Sequence, residues 1–185
     1  MNNQAVPDAS PTTPDELPSA LARLTTSLPG LSPSVPQLVL HALWDGLGLA
    51  RACGLAAART APAEWNSRQR NAETVEYLLA RELARTAAAT SRPLSHRSTT
   101  AATEARGTTW AAIVVQAILD FAHTAEPLAR TTAETAATWD DQRSFAACVS
   151  LFSELAACWR GERPAYQLRY TDTRTSPWWN HPPCF

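Results

Sequence analysis

An all-α fold, an antiparallel bundle of four long helices with a short N-terminal helix before them, is predicted by three features of the sequence. Apolar residues recur at intervals of three and four through most of the chain. Prolines fall where that pattern pauses, and only the stretch Tyr166 to Thr171 alternates as a strand would.

Seven of the 14 prolines lie in the first 36 residues, spaced so that no long helix can cross them. Residues 1–14 are therefore expected to be a disordered leader, followed by a short helix from about 15 to 28 that Pro29-Gly30 stops. From Pro36 to Arg59 the apolar positions Leu38, Val39, Leu40, Leu43, Trp44, Leu47, Leu49 and Cys53 cover most of the helical wheel. A helix apolar nearly all round is a central one, and its one polar strip carries His41, Asp45, Gly48 and Ala52.

After Pro62 a third helix is expected over about 64 to 89, with Trp65, Ala72, Val75, Leu78, Leu79 and Leu83 inward and Arg70, Glu73, Tyr77 and Arg81 on a solvated outer face. A loop is expected around 91–100. The next helix has the clearest amphipathic stripe, Trp110, Ile113, Val114, Ala117, Ile118 and Phe121, and is expected to run to about Thr124. Pro127 then suits the first turn of a new helix, with Thr124 as its cap, and Asp140-Asp141 marks a restart or a bend. The last stripe is Phe145, Cys148, Val149, Phe152, Leu155 and Trp159, with Gly161 as its stop. Domain bounds follow: a leader at 1–14, a bundle at 15–161, and an extended aromatic tail at 162–185 that carries Trp178 and Trp179.

Composition narrows the function classes. All 16 cations are arginines, Ala fills 35 positions and Thr 21, which points to a coding sequence rich in G and C, as in a high-GC bacterium. The formal net charge of -1 excludes a strongly basic nucleic-acid binder, although the charge is uneven. Residues 51–106 hold nine Arg and five acids, net +4, and residues 107–162 hold three Arg and seven acids, net -4. No basic residue precedes Arg23 and no apolar run lies at the start, so no secretory or transit signal is read there; a cytoplasmic protein that does not span a membrane is expected. Cys53, Cys148, Cys158 and Cys184 show no C-x-x-C pairing and are expected to be reduced thiols, the first two in the core.

The six glycines and the lack of lysine leave no phosphate-binding loop, dinucleotide fingerprint or nucleophile elbow. Glu73-Thr-Val-Glu76 supplies one E-x-x-E of the kind helical phosphohydrolases use for magnesium, but no E-x-x-D follows, and a solvated face is the expectation. Asp120 and His123 have the i, i+3 spacing of a metal pair, yet their motif occurs once and points away from the apolar stripe. His181 and Cys184 form half of a zinc site without a second half. Neither a metal nor a cofactor is expected.

Glu82 stands out because it falls within the apolar sector of the third helix, where an unpaired carboxylate is costly. If that sector meets the polar strip of the second helix, His41, Asp45 and Glu82, with Arg68 and Asn71, form an interior polar cluster of the kind acid/base chemistry needs; the structural alternative is that Glu82 pairs with an arginine such as Arg68 while His41 caps a buried network or faces solvent. Arg81, Arg85, Arg92, Arg97 and Arg106 make an anion-binding face without interleaved aromatics. The expected function is a non-catalytic binding protein, regulatory, accessory or assembly-related, that meets a protein partner or itself. The alternatives are a helical-bundle enzyme or small-ligand binder built on the His41, Asp45, Glu82 cluster, and an arginine-dependent nucleic-acid accessory protein.

Overall fold

Five α-helices and no strand make up residues 16–86 and 107–163, the part of the chain that the computed structural model describes. The leader, the loop around 91–100 and the aromatic tail beyond Arg163 lie outside those residues. Helix α1 spans Leu17–Ser27 and ends in a 3-10 turn at Leu28–Gly30, the stop that Pro29-Gly30 predicts. Helices α2 (Pro36–Thr60) and α3 (Pro62–Ala84) each begin on a proline, whose missing N–H costs nothing in a first helical turn. Only Ala61 separates them. Its backbone, φ -136 and ψ 73, lies outside the α region that a following proline disfavours, so the helix breaks and the chain reverses in one residue.

Helix α4 runs from Thr108 to Thr135 and α5 from Trp139 to Arg160. This corrects the expected break at Thr124: Pro127 lies inside α4, on its exposed side. A proline there deprives one carbonyl of its helical partner, but at the surface water can take that role, while Ala125, Leu128, Ala129 and Thr132 remain buried and hold the helix to the bundle. The break comes instead at residues 136–138. Thr138 accepts a hydrogen bond from the Asp141 backbone N–H at 3.2 Å and donates its hydroxyl to Asp141 Oδ2 at 2.7 Å, a reciprocal cap that starts α5 where the two aspartates suggested. Gly161 ends α5 in the left-handed conformation, φ 77, with Gly161 N–H donating to Cys158 and Glu162 N–H to Ala157.

Short connections make α2 and α3, and α4 and α5, antiparallel hairpins. Helix α4 packs against α5, α2 and α1, and α3 packs against α5 and α2, which closes a four-helix ring with α1 laid across α2 and α4. The core holds Leu40, Leu43, Ile118, Phe121, Phe145, Phe152 and Trp159, with Phe121 and Phe152 edge to face at 5.7 Å. Two glycines of α2 allow close approach: a Cβ at Gly46 would collide with the Phe121 ring, and one at Gly54 would lie 2.5 Å from Trp159 Cζ2. Among the described residues α2 alone has the length and apolarity of a membrane span, and its Val39, Leu40, Leu43, Leu47, Ala50 and Cys53 are buried in the bundle. Cys53 and Cys148 are core residues, as expected, and Cys158 joins them.

Candidate functional site

Arg68 and Asn71 act on the end of α5. The Arg68 guanidinium stacks on the Trp65 ring, 4.5 Å from its centroid, and donates to the Trp159 carbonyl at 2.9 Å, while Asn71 Nδ2 donates to the Arg163 carbonyl at 3.3 Å. The first bond satisfies a carbonyl that the C-terminus of α5 leaves open and the second holds the chain just beyond it, so the pair secures that end of α5 against α3. Neither joins Glu82. That carboxylate is buried, 8 % exposed, but its Oε1 receives Arg81 at 3.1 Å and Arg85 at 2.9 Å, two neighbours on α3 whose own side chains reach solvent. Glu82 thus pairs with arginine as the structural alternative has it, but the partners are Arg81 and the cap residue Arg85, one and three positions away along the chain, and not Arg68.

Asp45 is exposed on the outer strip of α2, and His41 is half-buried with Nε2 enclosed and without a hydrogen-bond partner. Among the described residues no hydrogen bond or ion pair joins His41, Asp45 and Glu82. Asp120 accepts a bond from Gln116 at 2.8 Å, and His123 Nε2, exposed, accepts one from Arg160 at 3.1 Å, since a guanidinium only donates. No group of three potential metal ligands occurs among the described residues. Of the five arginines of the anion face, Arg81 and Arg85 are engaged by Glu82, and Arg92, Arg97 and Arg106 lie outside the described residues.

The unusual carboxylate is Glu76. Trp44, Leu47, Gly48 and Arg51 follow one another at helical intervals along α2, and Glu73, Glu76, Tyr77, Ala80 and Arg81 do so along α3. The two faces form the walls of a groove of about 410 Å³. Glu76 lies at its floor, 3 % exposed, and neither carboxylate oxygen has a hydrogen-bond partner. The nearest cation, Arg51, holds Nε 4.0 Å from Oε2, beyond hydrogen-bond reach, with most of its side chain in solvent. Burial pushes the Glu76 carboxyl up from an ordinary 4.5 to about 7; Arg51 opposes that rise and Glu73 adds to it. The expected solvated E-x-x-E face therefore holds only for Glu73.

Glu76 shares its side of α3 with a second group that lacks partners. Gln69, two turns earlier, is buried with both amide atoms unbonded, against Gly54 and Trp159, and the indole N–H groups of Trp65 and Trp159 are also unbonded. The buried polar side chains of α3 that lack partners are thus Gln69 and Glu76, neither of which belongs to the expected His41, Asp45, Glu82 cluster.

The cysteines offer little chemistry. Burial pushes Cys53 and Cys148 up to about 12, and Cys158 to about 11 with help from the charge of Glu154, so none of the three is a ready thiolate. A second groove, of about 440 Å³ between α1 and α4, is lined by Pro18, Ala22, Thr26, Ile113 and Ala117 and contains none of the unbonded buried atoms. Compared with protein-family models, curated proteins and solved structures, the chain matches none.

Proposed function

We propose that the protein acts by binding, without catalysis, and that its ligand is a small molecule held in the groove between α2 and α3. The observation that carries this reading is Glu76: a carboxylate that is buried beside a groove and unbonded at both oxygens is costly in the free protein, and a ligand that reaches it as Arg51 moves aside and supplies its missing partners removes that cost. The walls combine apolar surface from Trp44, Leu47 and Ala80 with the charged side chains of Arg51, Glu73, Glu76 and Arg81, so a small molecule would find both apolar contact and orienting polar groups there. Binding without chemistry is supported by the high thiol pKa values and by the separate engagements of Glu82, Arg68 and Asn71.

Gly48 provides the test. It lines the groove, and a Cβ added there meets nothing within 4 Å, so Gly48→Phe fills the cavity without disturbing the core. Indole, phenol and benzylamine are titrated against the protein while the Trp44 indole resonance and the groove amides are followed by NMR. At least one fragment shifts them, and Gly48→Phe abolishes the shift. If no fragment perturbs the groove, or the perturbation survives Gly48→Phe, the reading fails.

The protein-contact reading remains as a second proposal, supported by the α1–α4 groove, on whose wall Ile113 is 56 % exposed. Light scattering across a concentration series tests its self-association form; a growing mass that Ile113→Asp abolishes supports it, and a constant monomer mass overturns that form.

A further inference from the structure

The groove holds more carboxylates than uncommitted cations. Its carboxylates are Glu76, with two empty acceptor oxygens, and Glu73, exposed on the rim and without a hydrogen bond or ion pair among the described residues. Its cations are Arg51 and Arg81, but Arg81 is committed through both Nε and Nη2 to Glu82, at 3.2 and 3.1 Å. That leaves one mobile guanidinium for two carboxylates. Trp44 and Tyr77 supply aromatic surface beside them, and a ring face attracts a cation as the carboxylates do. An anionic ligand finds Arg51 as its one cation not engaged by Glu82 and has two carboxylates to avoid.

Resting on the reading of the groove as a ligand site, we propose that its ligand is an organic cation: a primary ammonium, amidinium or guanidinium carried on an aromatic or apolar body. The N–H donors face the two oxygens of Glu76, the body lies between Trp44, Leu47 and Ala80, and Glu73 adds charge at the rim. An amidinium or guanidinium matches both carboxylate oxygens at once through two parallel N–H bonds. Arg51, 58 % exposed and 4.0 Å from Glu76, moves aside at little cost because it makes no hydrogen bond there.

Cation binding is coupled to a proton. The charges that act on Glu76 are Arg51 from α2 and Glu73 from its own helix, and its own charge reaches Cys158 of α5. Below neutral pH the carboxyl carries a proton in the free protein. On binding, the ligand's N–H groups replace that proton, Glu76 ionises, and the proton passes to the buffer; an ammonium–carboxylate pair is left in the groove.

The probes are benzamidine, benzoate and benzyl alcohol, equal in size and differing in charge. Each is titrated by NMR and calorimetry at about pH 6 and low salt into the wild type, Glu76→Gln and Gly48→Phe. Benzamidine binds in preference to the other two, and Glu76→Gln weakens it about tenfold or more, the range expected when a charge-assisted bond is lost. In buffers of different ionisation enthalpy, close to one proton is released per benzamidine bound to the wild type, and none in Glu76→Gln. Preferential binding of benzoate or benzyl alcohol that Gly48→Phe abolishes overturns the cation class while upholding the groove as a site. Benzamidine binding that Gly48→Phe leaves intact, or no binding by any probe, overturns both.

Discussion

Replacing Glu76 by glutamine changes the stability of this protein in a way that depends on pH, and the sign follows from burial. The carboxyl titrates near 4.5 in an unfolded chain and at about 7 in the bundle. Between those values the folded state holds a proton that the unfolded state has released, so wild-type stability is complete below about pH 4.5, declines as pH rises, and levels off above about pH 7. The decline is about 3 kcal/mol, since each pH unit between the two values corresponds to about 1.4 kcal/mol. With Glu76 only 3 % exposed, solvent screening does little to reduce it. Glutamine keeps the shape and cannot ionise. Whatever its amide costs to bury is the same at every pH, so the difference between variant and wild type isolates the carboxylate. Urea unfolding of both proteins at about pH 4 and pH 8 provides the assay. The stability of Glu76→Gln relative to wild type rises by about 3 kcal/mol between the two conditions. A difference that stays constant within about 0.5 kcal/mol shows that the carboxylate is solvated or paired, and the reasoning fails.

The remaining predictions concern the scaffold and use the same urea assay. Gly48→Ala stabilises the protein by about 1 kcal/mol, because its Cβ enters open space and alanine suits a helix better than glycine, whereas Gly54→Ala destabilises it, its Cβ falling 2.5 Å from the Trp159 ring and 2.6 Å from Gln69 Oε1. Equal effects at the two positions would contradict the packing of α2. Pro127→Ala stabilises by about 1 kcal/mol or more by restoring a backbone bond inside α4; destabilisation would mean that the proline ends a helix after all. Gly161→Ala costs about 1 to 2 kcal/mol, since φ of 77 strains any L side chain and the new Cβ meets Arg68 Nε at 3.1 Å. A neutral effect there would argue against the left-handed end of α5.

The bundle was legible because its stripes are. Phe121 and Ile118 on α4, and Phe145, Cys148, Phe152 and Trp159 on α5, recur at helical intervals and are all buried. Pro127 misled because local helix chemistry favours a start at that point, while the buried run Ala125, Leu128, Ala129 and Thr132 outweighs one missing hydrogen bond. That α3 buries a carboxylate was legible, but Glu82 was singled out and Glu76 was not. Leu78, counted as inward, is only half-buried and drags the apparent centre of the α3 stripe toward Glu82. Trp65, Ala72, Val75, Leu79 and Leu83, all buried, define the true centre. On a wheel of 3.6 residues per turn Glu76 then lies about 40° from Ala72 and Glu82 about 80° from it on the other side. Glu76 is the deeper of the two, and Gln69, seven residues before it, shares its face. The i, i+3 spacing of Glu82 and Arg85 is a helical ion-pair signal that the sequence did carry, whereas no spacing along α3 reveals that Glu76 has only a distant arginine, because that depends on which helix covers its side.

The central claim is that an unbonded carboxyl lies buried at the floor of the α2–α3 groove, and the side-chain carboxyl carbon of Glu76, followed by NMR through a pH titration, tests it most directly. One glutamate signal titrating near pH 7, and absent from Glu76→Gln, is the predicted result. A Glu76 signal that titrates near 4.5 would contradict it.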